Sequence, residues 1–576
     1  MKFFKYKTIL FGLFTLGLLA FSPFATAANF VESVKFNVDK GFDATSRNEI
    51  TATLVKTTNN FYFYVEKQWW DLQSSTDQNK ILTNLDSLSS EFSQNIYSQL
   101  TSAFGKEWNP GIDGDSKITI LFQEMNSDEG GYFRTADEYE KIQVPNSNER
   151  EMLYLSLDKI GGNGLKMILA HEFVHLITFN QKNKTFNVED DAWLNEARAD
   201  YASTILGYDN VYTGSNLEAR VKDFVSNPSD SIVEWRGTKY DYASVSLFTH
   251  YLVDQYGLNI LMDSLKTKYV GIESINFALL KAGSRDAFSQ IFTNWTIASL
   301  VNDCSLGNRY CYLNNNLKGI KISPVLNFIP LSGNASLYVD DATKNWEGNW
   351  IKFIGGTGNL ELEFSSLSGL NFQIPYILED NQGNKAIAFL TLNDNGKGVI
   401  NVENFGTNYK SIIILPSLQS KISGFGETEL NYPFTYSVSV KGKEQTEYQN
   451  EYQTLISQLL EKISALKAEI SRLQAEKLGM TNVQASCDKI ENNLYFGVNN
   501  DEEVKCLQEF LKSLGNGIYP GGYITGNFGS LTQSAVIRFQ ERYASEILNP
   551  VGLSKGTGYV GNLTRQKINS ILALSK

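Results

Sequence analysis

The sequence predicts a multidomain protein in which an α/β domain is followed by an all-β sandwich, a short coiled-coil helix and a small α-helical domain. At about 100 to 200 residues per domain, 576 residues accommodate several domains. The hydrophobic pattern changes from mixed helices and strands to short strands near residue 325, and to heptads near residue 444. Four cysteines form two local pairs, one on each side of these changes. The predicted units therefore span residues 28–324, 325–440, 444–478 and 487–576, after an N-terminal segment of residues 1–27.

Composition limits the classes of partner. Hydrophobic residues make up 42% and charged residues 20% of the chain, as in ordinary globular proteins. The formal net charge of -12 argues against nucleic acid or an anionic membrane surface as the main partner. We therefore expect no nucleic-acid binding.

The N-terminal segment MKFFKYKTILFGLFTLGLLAFSPFATAANF has lysines, then an apolar stretch, then Ala25-Thr26-Ala27. This order is typical of a secretory signal peptide that is cleaved after Ala27. An uncleaved membrane anchor is the alternative. We expect a secreted or cell-surface protein.

The α/β domain opens with a strand-like pattern, NNFYFYVE at residues 59–66, and a long polar helix through DSLSSEFSQNIYSQLTSAFG. The apolar strand KITILFQEM follows at residues 117–125. From residue 325 to 440, short strands such as WIKFIG and SIIILPS alternate with Gly/Asn turns, which predicts a β-sandwich. This region has no histidine or cysteine, so we expect no chemistry there.

Heptads occupy residues 444–478. Isoleucines 456, 463 and 470 fall at a positions and leucines 459, 466 and 473 at d positions. Isoleucine at a with leucine at d favours a parallel two-stranded coiled coil. Three heptads are few, and Lys462 would face Lys467 of a partner, so a coiled-coil dimer and a helix docked on its own chain both fit.

The cysteines predict two disulfides if the protein is exported, one joining Cys304 to Cys311 and one joining Cys487 to Cys506. A zinc site built from all four cysteines is the rival interpretation. Neither pair has the two-to-four-residue spacing that such sites favour, so we favour disulfides.

The C-terminal segment repeats one pattern, in which a Gly-Tyr pair, a Gly-Asn turn and a threonine precede a helix. The string VKCLQEFL…GYITGNFGSLTQSAVIRFQ…GYVGNLTRQKI resembles the small helical peptidoglycan-binding domains of bacterial wall enzymes. The resemblance covers most of residues 502–568, although residues 544–556 lengthen the segment before the last helix. It implies wall association through cell-wall peptidoglycan; a plain helical interaction module is the alternative.

The stretch LKMILAHEFVHLITFNQ holds two of the three histidines in the chain, His171 and His175. Residues four apart share one face of a helix, so both imidazoles can reach one metal ion. Glu172, between them, then faces a water on that ion. HEFVH therefore matches the zinc-protease motif.

A third ligand is expected in DDAWLNEARADYAS, where Glu196 and Asp200 share a helix face. Glu196 follows His175 by enough chain for a loop and a returning helix. Asp200, one turn further, can accept the remaining N–H of a ligand histidine and fix its tautomer. The sequence thus predicts a Zn²⁺ site of His171, His175 and Glu196.

HEFVH followed by NEARADY resembles the gluzincin metallopeptidases, and FGKEWNPGIDGDSKITILF…GGYFRTADEY…SNEREMLYLSL resembles their hyicolysin-type branch, over roughly residues 61–257. The resemblance implies a gluzincin-type α/β fold, zinc held by the three predicted ligands, and Glu172 as general base. It also implies an oxyanion donor from WRGTKYDYASVSLFTHYLVDQYG, with Tyr240 the first candidate and Tyr242 the second. His250, further along this segment, is expected to be structural.

The substrate class is inferred from one difference between this chain and the aminopeptidases among the gluzincins. Aminopeptidases of the wider group carry Gly-x-Met-Glu-Asn about 25 residues before the zinc helix, where this chain has PNSNEREM. We therefore expect an endopeptidase acting on protein or peptide substrates. A hydrolase of peptidoglycan cross-links and a non-catalytic surface or adhesion protein are the alternatives.

Overall fold

The computed structural model describes residues 33–442 and 489–574, apart from short gaps at residues 128, 163, 331–333, 496–497, 499–500, 516–517, 520–523, 552 and 554. The predicted signal peptide and the predicted coiled-coil helix, with its proposed dimer, lie outside the described residues. None of the helices in the described part has both the length and the apolar character needed to span a membrane.

A six-stranded sheet begins the α/β domain. Its strands are β1 (Ser33–Asn37), β2 (Glu49–Thr57), β3 (Phe61–Glu66), β4 (Ile118–Gln123), β5 (Gly131–Phe133) and β6 (Met152–Ser156), in the order β1-β2-β3-β4-β6-β5. Strands β3, β4 and β6 are parallel, and every residue of β4 and β6 is buried, as expected for the centre of such a sheet. Strand β5 pairs antiparallel with β6 and forms an edge of the sheet.

The described residues of this domain also form ten α-helices. They are α1 (Lys67–Asp71), α2 (Ser75–Glu91), α3 (Tyr97–Phe104), α4 (Leu165–Thr178), α5 (Ala192–Ile205), α6 (Asn216–Ser226), α7 (Lys239–Tyr256), α8 (Asn259–Leu265), α9 (Gly271–Lys281) and α10 (Phe288–Val301). Helix α4 is apolar and mostly buried, and it packs against both β5 and α5. Helix α7 starts at a capping box formed by Thr238 and Asp241 and packs on α5 and α6.

The second region is all-β, as predicted. Its strands are β7 (Val325–Ile329), β8 (Ala335–Thr343), β9 (Ile351–Gly355), β10 (Gly358–Ser366), β11 (Phe372–Asp380), β12 (Lys385–Leu390), β13 (Lys397–Phe405), β14 (Tyr409–Ile414), β15 (Ser417–Leu418) and β16 (Tyr432–Gly442). The main path runs β12-β11-β14-β13-β10-β16-β8, while β9 joins β14 to β7. Alternating residues such as Leu360, Leu362 and Phe364 fill the core of this sandwich.

The sandwich and the α/β domain share one hydrophobic core. Trp346 and Trp350, which precede β9, are buried in the cluster that also contains the α/β core. The Trp346 ring lies 4.9 Å from that of Phe288 and 5.4 Å from that of Phe292, both on α10. The Trp350 indole Nε1 donates to the carbonyl of Thr296 at 2.8 Å. The sandwich therefore keeps its own core and also contributes residues to the core of the α/β domain.

The C-terminal region is helical, as predicted. Its helices are α11 (Glu502–Ser513), α12 (Ser530–Arg542), α13 (Ala544–Ile547) and α14 (Asn562–Leu574). Buried Gln508 accepts hydrogen bonds from the amides of Thr525 and Gly526, and buried Gln540 accepts them from the amides of Thr557 and Gly558. These equivalent contacts give the internal repeat of the sequence a structural counterpart.

Cys304 and Cys311 form a disulfide, with Cα atoms 5.1 Å apart, which confirms the first predicted pair. Cys487 lies outside the described residues, so its pairing with Cys506 stays a prediction.

Candidate metal centre

Helix α4 presents both histidines of HEFVH on one face. The ring centroids of His171 and His175 lie 4.9 Å apart, as the four-residue spacing predicts. His175 and the intervening Glu172 are buried, and His171 is partly buried. An apolar helix thus carries three polar side chains into one enclosed place.

Helix α5 brings Glu196 to the two histidines. Glu196 Oε2 lies 3.1 Å from His171 Nε2, and Glu196 Oε1 lies 3.6 Å from His175 Nε2. The ligand atoms of the three residues lie within 4.8 Å of one another, and within the described ranges no other group of His, Cys, Asp or Glu meets this criterion. Ligands about 2.1 Å from a tetrahedral zinc ion would be about 3.4 Å apart. The three predicted ligand residues therefore meet at a spacing that suits zinc.

Electrostatics at the centre also suit a cation. Burial opposes the shift, but the hydrogen bond that the imidazole donates to Glu196 and the charges of the nearby carboxylates raise the pKa of His171 to about 9. Burial tends to raise the pKa of the Glu196 carboxyl, but His175 and His171 hold this pKa below the ordinary value. The negative potential that stabilises a proton on His171 would stabilise a metal cation in the same way.

Glu172 differs from Glu196 in its protonation. Burial raises the pKa of Glu172 to about 8; Glu196 and Glu129 add to the rise, and His171 opposes it. A carboxyl group with a pKa in this range can take up and release a proton near neutral pH. This is the behaviour expected of a general base.

Tyr242, rather than Tyr240, lies beside the centre. The Tyr242 ring is 6.4 Å from that of His171, and burial, followed by the charges of Glu196 and Glu172, raises the pKa of its hydroxyl. The Tyr240 ring contacts Lys239 instead. Residues two apart point about 200° apart on a helix, so only one of the two tyrosines can face α5. The structure therefore places the second choice from the sequence, Tyr242, beside the centre, and the oxyanion role of either tyrosine stays a prediction.

Asp200 lies near the centre but has other hydrogen-bond partners than predicted. Its Oδ1 accepts from Arg220 Nε at 3.0 Å, Arg220 Nη2 at 2.9 Å and Asn216 Nδ2 at 2.9 Å. Among the hydrogen bonds of the described residues, none joins Asp200 to His171 or His175. Asp200 therefore acts on His171 through its charge, which contributes to the raised pKa of that imidazole.

Arg220, Trp235 and Asn195 are neighbours of the site that were not predicted. The Arg220 guanidinium lies 4.6 Å from the centroid of the Tyr242 ring, and the Trp235 ring meets that ring edge-on at 4.9 Å. Asn195 Oδ1 and His175 Nδ1 are both buried without a hydrogen-bond partner. Asn195 could have been identified from its position before Glu196, whereas no sequence signal pointed to Arg220 or Trp235.

His250 is structural, as expected. It is buried on α7, its ring lies 4.8 Å from that of Tyr201, and its Nε2 is 3.4 Å from Thr204 Oγ1. Burial lowers its pKa to about 4, so it stays neutral.

A cavity of about 200 Å³ opens beside His175 and Glu196. Phe133 of β5 and Phe179, which follows α4, line it together with Thr178. The cavity therefore extends from the candidate metal centre to the sheet edge at β5.

Comparisons with known proteins characterise the C-terminal region. Residues 500–568 match the family model described as "Putative peptidoglycan binding domain". A comparison with curated proteins found no match.

Solved structures with some likeness include the pre-peptidase C-terminal domain of a collagenase from Bacillus anthracis, at 13% identity over 20% of this chain and 96% of that one, with a TM-score of 0.15. They also include the periplasmic lysozyme inhibitor PliG of Aeromonas hydrophila, at 10% identity over 21% and 100%, with a TM-score of 0.14. Scores this low support no conclusion about function. The match of residues 500–568 shows instead that the chain carries a peptidoglycan-binding domain at its C-terminus, which indicates association with the cell wall.

Proposed function

We propose that the protein is an exported zinc-dependent endopeptidase, of the gluzincin type that its motifs resemble, retained at the cell wall. The observation that carries this proposal is the meeting of His171, His175 and Glu196 from two helices, with buried Glu172 on the same helix as the histidines. Three protein ligands leave a coordination position open, as in catalytic rather than structural zinc sites.

The residues present fit the metal. Two imidazoles and one carboxylate are a common catalytic donor set, and the Nε2 atoms of both histidines face the Glu196 carboxylate. A zinc ion held by these residues would supply a Lewis acid for the scissile carbonyl and the attacking water.

The chain's own residues supply the proton transfers and the hydrogen bonds. The Glu172 carboxylate takes the proton from water and delivers it to the leaving amine. Burial keeps the Tyr242 hydroxyl protonated, so it can donate to the oxyanion of the tetrahedral intermediate. Arg220 lies over the ring of Tyr242 and holds Asp200, so it positions both.

The edge strand β5 suits a peptide substrate. An edge strand has unpaired backbone groups that can add an extended peptide as a further strand. Gly130 and Gly131 border Ile168 of α4 so closely that a Cβ there would come within 3.1 Å and 3.0 Å of it. A peptide on this edge would therefore run past the helix that carries the histidines.

The C-terminal domain favours the cell wall as the place of action and leaves a second candidate function. A peptidoglycan-binding domain would bring the metal centre to the peptide cross-links of the wall. The alternative function is therefore hydrolysis of these cross-links. In either case the bond that is broken is a peptide bond.

The proposal is tested with the purified full-length chain. We expect about one zinc per chain by elemental analysis, cleavage of an unstructured protein such as casein, loss of cleavage on chelation and recovery on adding zinc. Purified peptidoglycan serves as the parallel substrate. Release of peptides from peptidoglycan alone would establish the alternative, and a zinc-loaded protein that cleaves neither would favour a non-catalytic surface or adhesion protein.

Replacing Tyr242 with Phe should lower kcat by about 10² to 10³, because one hydrogen-bond donor to the oxyanion is lost. Tyr240→Phe is the matched control and should stay within about twofold of wild type, since Tyr240 contacts Lys239. Steady-state kinetics on an internally quenched peptide measure both. A larger loss in Tyr240→Phe than in Tyr242→Phe would contradict the assignment.

A further inference from the structure

A second cavity adjoins the metal centre. This interdomain cavity, of about 190 Å³, lies between the α/β domain and the β-sandwich. Ala192 lines both it and the cavity that contains His175 and Glu196. Ala192 and Glu196 are one turn apart on α5, about 6 Å. The two cavities therefore meet at the start of the helix that carries the third predicted ligand.

Both regions contribute to the walls of the interdomain cavity. The α/β domain contributes Trp193, Val233 and Trp235, and the loop before β16 contributes Phe425, Gly426 and Glu427. Asp191 and Ala192 complete the lining. The cavity thus combines aromatic walls with two carboxylates, one from each region.

The sandwich loop is fixed in place by polar contacts. The amide of Trp235 donates to the carbonyl of Gly426 at 3.1 Å, and the amide of Glu429 donates to Glu234 Oε1 at 2.9 Å. Lys344 of the sandwich forms an ion pair with the same Glu234. A cavity held in this way is largely preformed, as ligand sites usually are.

Trp235 connects the cavity to the catalytic candidates. Its ring packs edge-on against Tyr242, whose ring lies 6.4 Å from His171. A side chain in the interdomain cavity would therefore lie beside the proposed oxyanion donor. This position suits a residue of a substrate whose backbone passes the metal centre.

The charge of the cavity selects its occupant. Glu427 is exposed and forms no ion pair with any residue that the structure describes. Lys421 of the same loop lies 5.2 Å from the centroid of the Phe425 ring and acts on the Asp191 carboxylate through its charge, but its ammonium is already paired with Glu429 at 2.7 Å. The Asp191 carboxylate has the Trp193 indole at 3.4 Å as its donor. An aliphatic stem would pack on the aromatic rings, and a cationic end would meet the carboxylates.

We propose that the interdomain cavity is a subsite for a long basic side chain of the substrate, arginine or lysine, so that the β-sandwich forms part of the substrate-binding site. This proposal extends the proposed function and rests on it, because the occupant of the cavity is a substrate side chain only if the protein is a peptidase. The sandwich then has a role in substrate specificity. Its lack of histidine and cysteine concerns catalysis and does not exclude this role.

Binding to a non-cleaving protein tests the subsite without relying on catalysis. The zinc-loaded full-length Glu172→Gln protein is titrated with a set of hexapeptides that carry one arginine at each position in turn among otherwise uncharged side chains. The same peptides with citrulline, an uncharged analogue of arginine, are titrated in parallel. Tryptophan fluorescence reports occupancy, because Trp193 and Trp235 line the cavity. We expect one arginine position to bind about 10-fold tighter than its citrulline counterpart.

Adding Glu427→Gln to this protein should reduce the preference for arginine about threefold or more, and adding Phe425→Ala should weaken arginine and citrulline peptides together. Glu361→Gln, which removes an exposed carboxylate from β10 of the same sandwich, should change neither. Equal affinity for arginine and citrulline at every position, or no binding of either up to millimolar concentration, overturns the subsite. A preference that survives Glu427→Gln also overturns it. A preference that depends on Glu427 in a protein whose wild type hydrolyses nothing overturns the proposed function and leaves the subsite standing.

Discussion

Glu172→Gln should keep zinc bound while peptide hydrolysis falls by several orders of magnitude. Glutamine preserves the size of the side chain and much of its hydrogen bonding, but it cannot take a proton from water or deliver one to the leaving amine. General base and general acid roles contribute about 10² to 10⁴ each. Zinc content by elemental analysis and kcat/KM on a quenched peptide measure the two effects separately.

The control for this substitution is Glu361→Gln, at an exposed position of β10 in the sandwich, which should have wild-type activity. A Glu172→Gln protein that cleaves at the wild-type rate would remove the peptidase proposal, and His171 and His175 would then belong to a structural metal site.

The same substitution should change how the metal-free protein responds to pH. The pKa of Glu172 rises from an ordinary 4.5 to about 8 on folding, so the folded state binds the proton more tightly than the unfolded state. The resulting contribution to stability is present in full below about pH 4.5 and is lost as pH rises towards 8. Metal-free Glu172→Gln should not lose this contribution, so its melting temperature should exceed that of the metal-free wild type at pH 8. Thermal unfolding in the presence of a chelator, at pH 5 and pH 8, measures the difference.

His171→Ala and Glu196→Ala should lose the zinc itself, and hydrolysis with it. If a zinc site contributes about 10 kcal/mol, removing one of its three protein ligands costs about 3 kcal/mol, or ~10² in affinity. Part of the stability should be lost too, because metal that binds the folded state stabilises it. Zinc titrations and thermal unfolding with and without chelator measure both losses; chelation should lower the melting temperature of the wild type much more than that of either variant.

His250→Gln is the matched control, since His250 contacts Tyr201 and Thr204 and should not affect zinc content. If His171→Ala and Glu196→Ala bind zinc as tightly as wild type does, these residues are not ligands. Glu172→Gln should thus lose hydrolysis but keep zinc, whereas His171→Ala and Glu196→Ala should lose both.

The candidate ligand set could be predicted from the sequence because its geometry is local. A spacing of four residues places His171 and His175 on one helix face whatever surrounds the helix. Glu196 follows after a short connection on a returning helix, so its approach needed little more than the chain itself. The sandwich was predicted from short strands separated by Gly/Asn turns. In one of these strands, β10, the alternating Leu360, Leu362 and Phe364 fill the core, because residues two apart face the same side of a strand.

The sequence by itself thus determined which elements form and that the two histidines and Glu196 can meet, since both follow from spacing along the chain. Only the tertiary structure decided what those elements face. Tyr240 and Tyr242 are equally plausible in a linear sequence, and the packing of α7 on α5 turns Tyr242 towards His171. Asp200 binds Arg220, twenty residues further along the chain, because α6 places the guanidinium of Arg220 beside it. No spacing in the sequence predicts this contact. Trp346 and Trp350 are recognisably apolar, yet hydrophobicity carries no direction, so packing alone placed them in the core shared with α10.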